Sequence, residues 1–273
     1  MGHDFTQPLA RGALMKVVIL CGGRGTRLHE ETEYRPKPML PIGDRPILWH
    51  IMKLYAHYGF NDFILCLGYK GDVIRHYFQN YLAITSDITL GLKHDSPIHY
   101  HSRSTEENWK VTLANTGEET LTAGRLKRVE KYLDGDTFLM TYGDGVGDID
   151  IPATLDLHQS SGKELTLTAV HPPGRFGELR FDGKDSIASF NEKPQVEEGW
   201  INGGFFVAAT KVVARLKNCD DLMFEQQPLQ DLAKRGQLQG YQHRGFWQPM
   251  DTYQEYVLLN KLWSQGKAPW KVW

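Results

Sequence analysis

The sequence has 273 residues, of which 41% are hydrophobic and 23% charged, which is enough for a sizeable core without disulfides or structural metals. The 31 Lys and Arg residues nearly balance the 33 Asp and Glu residues, whereas nucleic-acid-binding domains usually carry a basic excess. The mean hydropathy is −0.44, and no apolar run is long enough to cross a bilayer. We therefore expect a protein that binds neither nucleic acid nor membranes.

The N-terminus and the cysteines predict the compartment. Residues 1–14 lack the basic and apolar segments of a signal peptide, and we interpret them as a flexible lead-in to one domain over residues 15–273. Three cysteines are too few for a disulfide framework, which favours the reducing cytoplasm. Cys21 and Cys66 lie in apolar runs and are predicted to be buried, whereas the polar surroundings of Cys219 favour an exposed thiol.

From residue 15 the hydrophobic pattern alternates between predicted strands and helices. Residues 16–21 form a β-branched run typical of a strand buried on both faces, and a glycine-rich loop follows it. An apolar helical repeat begins after Pro46, with Trp49 on its buried stripe, and ends at Gly59. A second buried strand at 62–67 and a second amphipathic helix at 73–82 come next. This order predicts an α/β fold with a mainly parallel sheet.

The middle of the chain, residues 87–124, departs from this alternation. Short alternating runs at 98–101 and 110–114 are separated by polar clusters, and we interpret them as hairpin-like excursions. The earlier pattern resumes with helices at 126–133 and 153–160 and strands at 137–142 and 164–170. Residues 174–208 are predicted to hold several short strands, and the segment from residue 211 to be mostly helical.

The loop after the first strand, Leu20-Cys-Gly-Gly-Arg-Gly-Thr-Arg-Leu28, is the most informative segment. Consecutive backbone N–H groups can cradle phosphate oxygens there, and three glycines allow close backbone approach. Two arginines add charge suited to bidentate phosphate contacts. The P-loop motif is missing, and Leu28 occupies the third glycine position of the dinucleotide fingerprint, which disfavours a hydride-transfer enzyme. A glycine turn with solvated arginines is the alternative.

Lys37 lies in the segment Arg35-Pro-Lys-Pro-Met-Leu-Pro41. The flanking prolines stiffen the backbone and present the lysine at a low entropic cost. In isolation it would be a surface turn lysine. Because it follows an anion-binding loop closely, we predict that it meets the same phosphates.

Together these two segments resemble the signature of the sugar-1-phosphate nucleotidyltransferases, G-G-x-G-T-R-L followed by P-K-P-[ML]-[LV]-P-[IV]. The resemblance covers residues 15–273. Seven further segments resemble the glucose-1-phosphate cytidylyltransferase branch, namely 110–117, 122–128, 142–146, 172–177, 191–194, 201–206 and 245–252. The resemblance implies the nucleotidyltransferase fold, a Rossmann-like mixed and mainly parallel sheet flanked by helices, with small β excursions.

The same resemblance implies a Mg²⁺-dependent reaction. CTP and α-D-glucose 1-phosphate would give CDP-glucose and pyrophosphate, in the supply of dideoxy sugars for O-antigen polysaccharide. Arg27 would contact the β- and γ-phosphates, Lys37 the reacting phosphorus and Lys193 the sugar phosphate, with Asp144 as a further catalytic residue. Asp144 and Asp251 would bind the metal, since Mg²⁺ prefers one or two carboxylates plus phosphate oxygens; a turn aspartate is the alternative for Asp144. The other substrate contacts implied are Leu20, Gly22, Gly23, Arg24, Gly25, Thr26, Thr120, Gly124, Arg125, Gly143, Glu192, Asn202 and Gly203.

The choice of base is inferred from hydrogen-bond chemistry. Cytosine needs an acceptor opposite N4 and a donor toward O2 or N3. Arg125 is the predicted donor and the carbonyls of the glycine loop are the predicted acceptors, while Glu192, Asn202 and Gly203 are expected at the glucose hydroxyls. The Gln-Pro-x-Pro-x-Gly-Leu-Ala-Gln segment of thymidylyltransferases is missing. A thymidylyl- or uridylyltransferase and a non-catalytic nucleotide-sugar-binding protein are the alternatives.

Two further features are not assigned to the active site. His99 and His101 share one strand face, but without a third ligand nearby we interpret it as a solvated face or an interface rather than a metal site. The C-terminal segment 268–273 carries two tryptophans, which need a surface on the same domain or on a neighbouring subunit. We expect a homo-oligomer.

Overall fold

A computed structural model describes residues 15–25, 32–93, 96–101, 108–172, 178–181, 186–191, 199–217 and 219–273. The predictions made for Thr26, Arg27, Glu192 and Lys193 lie outside these residues. Within the described ranges, the strands are β1 (Lys16–Leu20), β2 (Pro41–Ile42), β3 (Arg45–Pro46), β4 (Asp62–Leu67), β5 (Ile88–Leu90), β6 (Ile98–Tyr100), β7 (Lys110–Asn115), β8 (Thr137–Tyr142), β9 (Gly145–Gly147), β10 (Leu165–Val170), β11 (Glu178–Phe181), β12 (Ile187–Asn191), β13 (Ile201–Ala209), β14 (Leu238–His243) and β15 (Trp247–Pro249).

Helices connect these strands in the described part of the chain. The α-helices are α1 (Ile47–His57), α2 (Gly71–Gln79), α3 (Tyr81–Thr85), α4 (Thr122–Val129), α5 (Ile151–Ser161), α6 (Thr210–Ala214), α7 (Gln227–Lys234) and α8 (Tyr253–Ser264). Single 3₁₀ turns cover Lys37–Met39 and Glu130–Tyr132. None of the described helices is long and apolar enough to cross a bilayer.

Seven strands form one mixed sheet in the order β14–β10–β13–β8–β1–β4–β7. Six of them run in the same direction, and β13 is antiparallel to both of its neighbours, β10 and β8. Helices flank the sheet, so the predicted α/β fold with a mixed, mainly parallel sheet is confirmed.

The core has two layers, one on each face of the sheet. Alternate side chains of a strand point to opposite faces, so Val17 and Ile19 join one layer while Val18 and Leu20 join the other. A strand covered on both sides requires an apolar run, which is why the sequence predicted β1 correctly. The carboxyl end of this strand is thereby fixed in the middle of the molecule.

Both edges of the sheet differ from the sequence prediction. β7 was expected in a hairpin excursion, but it pairs in parallel with β4, while β5 and β6 form a separate hairpin. The region from residue 211, expected to be mostly helical, also contains β14 at the opposite edge and β15, which pairs with β9. Edge strands leave side chains exposed, so these segments lack the continuous apolar run that marked β1.

Two local predictions also change. The helix predicted at 126–133 begins earlier, at Thr122, and its last turn is a 3₁₀ turn. Cys219, expected to be exposed, is buried, because it belongs to the core layer that contains Leu126 and Val129 of α4. Cys21, Cys66 and Trp49 are buried, as predicted.

The C-terminal segment packs on its own domain. Trp270 is buried and stacks on Phe246 and Trp263, with ring centroids 5.6 and 6.4 Å apart. Its indole N–H donates to Nδ1 of His50 over 3.3 Å. The same domain therefore supplies the surface for Trp270. His99 and His101 lie on exposed β6 and beside it, as expected.

Candidate active site

A cleft of about 310 Å³ opens at the carboxyl ends of β1 and β8. Open α/β sheets gather their ligands at this edge. Most of the predicted site residues that the structure describes line the cleft, namely Leu20, Gly22, Gly23, Arg24, Gly25, Lys37, Thr120, Arg125, Gly143 and Asp144. Two segments predicted from separate motifs, the glycine loop and the Lys37 turn, therefore face the same space.

Lys37 joins the two predicted metal carboxylates. Its Nζ donates to Oδ2 of Asp144 over 2.7 Å and also to Oδ1 of Asp251. The lysine is only 8% exposed, whereas the cleft side of Asp144 remains accessible. One ammonium and two carboxylates thus meet beside the cleft, although the acidic residues are far apart in sequence.

The antiparallel pair of β9 and β15 brings the two carboxylates together. Asp144 directly precedes β9, and Asp251 follows β15 after Met250, whose N–H donates to the carbonyl of Asp144 over 2.8 Å. Downstream, the Glu255 carboxylate accepts from the N–H groups of Asp251 and Thr252 in the capping box of α8. The backbone that carries Asp251 is therefore held on both sides.

The charge of Lys37 is stabilised in this position. Burial lowers the pKa of the ammonium, but the charges and hydrogen bonds of Asp144 and Asp251 outweigh burial, so the pKa lies above its ordinary value. Lys37 therefore stays protonated at neutral pH. An ion pair with a purely structural role would also have this property, but it would not need to line a cleft.

The donor set fits a magnesium ion. The carboxylates of Asp144 and Asp251 both contact the Lys37 ammonium beside the cleft, so their oxygens lie close together. Mg²⁺ prefers such carboxylate oxygens together with phosphate oxygens. Among the described residues, no group of three or more His, Cys, Asp and Glu side chains could form a cage made by protein alone. The geometry thus suits a metal that is shared with substrate phosphates.

The glycine loop closes the other side of the cleft. The position of a Cβ on Gly22 is filled by the Arg125 guanidinium, and Gly25 has a φ of +62°, which favours glycine. Among the residues that the structure describes, none places an atom within 4 Å of a Cβ built on Gly23. The backbone of Gly143 donates to the carbonyl of Leu20 over 3.1 Å and joins this loop to the Asp144 segment.

Arg24 pairs across the mouth of the cleft with residues that the sequence did not single out. Its guanidinium contacts Glu119 and lies 3.6 Å from a carboxylate oxygen of Glu118. All three side chains are exposed, and exposed ion pairs are weak. A phosphate can therefore compete for Arg24. In the sequence, Glu118 and Glu119 follow Gly117 and look like part of an ordinary surface turn, so no pattern indicated their contact with Arg24.

Arg125 lines the cleft and is held by the loops around it. Its Nη atoms donate to backbone carbonyls of Leu67, Gly22, Gly117 and Glu118, and to the Thr116 hydroxyl, at 2.7–3.3 Å. The side chain is 4% exposed. These contacts tie the glycine loop to the loop before α4, and a contact between Arg125 and the base stays a prediction.

Residues 16–263 match the model of the family described as nucleotidyl transferase. The chain belongs to this family. It is 52% identical over 260 residues to a glucose-1-phosphate cytidylyltransferase of Salmonella typhi, covering 95% of this chain and 100% of that protein. A mannose-1-phosphate guanylyltransferase of Mycobacterium tuberculosis is 30% identical, covering 92% of this chain and 65% of that protein.

A solved structure has the same fold as this nucleotidyl transferase. HddC from Yersinia pseudotuberculosis matches with a TM-score of 0.67 and 24% identity, covering 91% of this chain and 99% of the other. At this identity the likeness concerns the fold alone. It agrees with the mixed sheet described above.

Three further predicted contacts occupy distinct places in the nucleotidyl transferase chain. Gly124 packs on the backbone of the loop that precedes α7, since a Cβ on Gly124 would lie 2.8 Å from Cα of Asp220. It is not among the residues that line the cleft. Gly203 packs on Val170, and its carbonyl accepts from the Trp247 indole over 2.7 Å. Asn202 contacts Tyr142, which lines the cleft. Tyr142 lies in the segment 142–146, which resembles the cytidylyltransferase branch, but the sequence predicted no role for it.

Proposed function

We propose that the protein transfers the cytidylyl group of CTP to α-D-glucose 1-phosphate, forming CDP-glucose and releasing pyrophosphate. The observation that carries this proposal is the convergence of Lys37, Asp144 and Asp251 beside the glycine loop. The identity of 52% to the Salmonella typhi glucose-1-phosphate cytidylyltransferase, over 95% of the chain, supports the choice of substrates.

The reaction is a displacement at phosphorus. A phosphate oxygen of glucose 1-phosphate forms a bond to the α-phosphorus of CTP, while the bond from that phosphorus to the bridging oxygen breaks and pyrophosphate leaves with its electrons. Such transfers depend on positioning and on electrostatic stabilisation. The protein must therefore hold two anions side by side and stabilise charge on the leaving group.

Lys37 is proposed to stabilise negative charge at the reacting phosphorus. Its raised pKa keeps the ammonium charged, and the two carboxylates fix its position. The N–H groups of Gly22, Gly23 and the residues that follow are proposed to contact the triphosphate. No described residue crowds the Cβ position of Gly23, which favours close approach of a phosphate to its backbone.

Asp144 and Asp251 would hold a Mg²⁺ ion. The ion, when bound, would neutralise charge on the phosphate oxygens of the nucleotide. Arg27 at the β- and γ-phosphates, Lys193 at the sugar phosphate and Glu192 at the sugar hydroxyls complete the proposal on the family resemblance. Asn202 and Gly203 are assigned to the sugar side, and Thr120 to the base side of the cleft.

We further propose a cytoplasmic homo-oligomer that supplies CDP-glucose for dideoxy sugars of O-antigen polysaccharide. All three cysteines are free thiols, as is usual in a reducing compartment. Light scattering that gives the mass of a clean monomer would contradict the oligomer.

One assay tests the proposed activity. Pyrophosphate release is measured with glucose 1-phosphate and CTP, UTP or dTTP, each with Mg²⁺ and with EDTA. We expect CTP to be clearly preferred and EDTA to abolish turnover. Preference for UTP or dTTP would instead identify a uridylyl- or thymidylyltransferase, and binding without pyrophosphate release would identify a non-catalytic nucleotide-sugar-binding protein.

A further inference from the structure

A chain of hydrogen bonds between four side chains runs along one wall of the cleft. Asn202 Nδ2 donates to the Tyr142 hydroxyl over 3.4 Å, and that hydroxyl donates to Oε1 of Glu225. Oε2 of the same carboxylate accepts from the Thr122 hydroxyl over 2.6 Å. Tyr142 and Thr122 line the cleft, and Glu225 joins them.

Tyr142 is held firmly in this chain. It is the last residue of β8, two positions before Asp144, and a Cβ on Gly204 would collide with its ring. The ring also meets Phe206 edge to face, with centroids 5.8 Å apart. A phenol is protonated at neutral pH, so the Tyr142 hydroxyl is a donor in this chain.

The direction of each hydrogen bond is determined. Since the Tyr142 proton is donated to a carboxylate, which accepts only, the Tyr142 oxygen is left to accept from Asn202. The Oδ1 atom of Asn202 accepts from the Gly204 N–H over 2.9 Å, which sets the orientation of the amide. The Gly204 N–H and the Tyr142 hydroxyl thus hold the two ends of the Asn202 amide, and Glu225 orients that hydroxyl.

The other half of the chain reaches the nucleotide side. Thr122 is the first residue of α4, and its hydroxyl also accepts from the N–H of Phe224 over 2.8 Å. The same helix carries Arg125, which binds the glycine loop through Gly22. The described partners of Glu225 are thus two hydroxyls, one at the end of β8 and one at the start of α4.

We propose that Glu225 is a positioning residue that orients Asn202, through the Tyr142 hydroxyl, for the hydroxyl groups of the sugar phosphate. Glu225 holds the sugar-side wall in register with helix α4 by accepting from both hydroxyls. This inference rests on the proposed function, because it assigns the sugar phosphate to the Asn202 side of the cleft.

Tyr142→Phe and Glu225→Gln test this proposal, because each alters the hydrogen bonds of one side chain with little change in its shape. A single hydrogen bond contributes about 0.5–1.5 kcal/mol, so we expect either variant to raise KM for glucose 1-phosphate roughly 3- to 10-fold. KM for CTP should change by less than about 2-fold, since the glycine loop is untouched. Tyr132→Phe makes the same chemical change on an exposed 3₁₀ turn and should leave both constants unaltered.

A double-mutant cycle separates positioning from general destabilisation. Once Asn202→Ala has removed the amide, adding Tyr142→Phe should raise KM for glucose 1-phosphate by less than about 2-fold, because coupled residues are not additive. Full additivity, or an equal rise in KM for CTP, would overturn the inference, and thermal melting checks that each variant is folded. An inactive wild-type protein would overturn the proposed function and this inference with it. If the wild type is active but the variants change KM for glucose 1-phosphate and KM for CTP equally, the inference alone is overturned.

Discussion

At the scale of single residues, the decisive contact is the ammonium of Lys37 between Asp144 and Asp251. A buried cation is stable only when it is paired, and both carboxylates here serve that purpose. The same arrangement keeps positive charge beside the cleft at neutral pH, because the pKa of Lys37 lies above its ordinary value. The local structure and the proposed catalytic role therefore rest on the same three side chains.

Lys37→Met tests the catalytic share of that contact. Loss of a preorganised charge at the reacting group should lower kcat by about 100- to 1,000-fold. Lys217→Met, a matched change on the surface, should leave kcat unaltered. Steady-state pyrophosphate release measures both, and a Lys37→Met variant that is folded and fully active would exclude the proposed role.

The sequence could predict these residues but not their neighbours. Lys37 and Asp144 stood out because each follows a recognisable motif or strand. The proximity of Asp144 and Asp251 depends on β9 and β15, which are three residues long and carry no periodic pattern. The five backbone and side-chain partners of Arg125 could not be predicted either, because a sequence does not show which groups surround a guanidinium.

At the scale of elements, the glycine loop and α4 are held at a distance that admits no side chain. The Arg125 guanidinium fills the space where Gly22 would carry a Cβ, and its hydrogen bonds reach carbonyls on both loops. Interiors tolerate added volume poorly when the displaced group is itself bonded. Packing therefore requires glycine at position 22, independently of the proposed approach of its backbone to phosphate.

Neighbouring glycines give a matched test of this packing. Gly22→Ala should lower the free energy of unfolding by about 1–3 kcal/mol, as overpacking does. Gly23→Ala adds the same methyl group where no atom of the described residues lies within 4 Å, and its free energy of unfolding should match that of the wild type. Urea denaturation compares them. Equal stability of the two variants would show that Arg125 moves aside freely.

A second element-scale feature is the junction of α1 with the C-terminal segment. His50 donates through Nε2 to the carbonyl of Ile42 and accepts from the Trp270 indole through Nδ1, so the ring is neutral. Burial lowers the pKa of His50 to about 4, and the nearby Asp44 offsets burial only in part. The docked C-terminal segment therefore requires an unprotonated ring.

This junction predicts acid sensitivity. Between pH 6.5 and about 4 the unfolded chain binds a proton at His50 that the folded chain does not, so stability is lost as the pH falls through this window. The loss attributable to His50 should approach about 3 kcal/mol. His50→Gln should flatten the profile of unfolding free energy over the same window. An unchanged slope in the variant would contradict the assignment.

At the scale of the whole molecule, the sequence predicted the sheet centre and missed its edges. β1, β4 and β8 are apolar runs because both faces are covered, and that pattern is visible in a sequence. β7 and β14 complete the sheet with partly exposed side chains, so their place depends on tertiary pairing. The active-site edge is formed by the central strands, which explains why its location could be predicted.

The most direct test of the account is the position of the nucleotide in crystals soaked with CTP and Mg²⁺. We predict phosphates against the backbone of the glycine loop, with the ion bound by Asp144 and Asp251 and the α-phosphorus next to Lys37. Triphosphate density away from the glycine loop, or a metal that contacts neither carboxylate, would contradict the account.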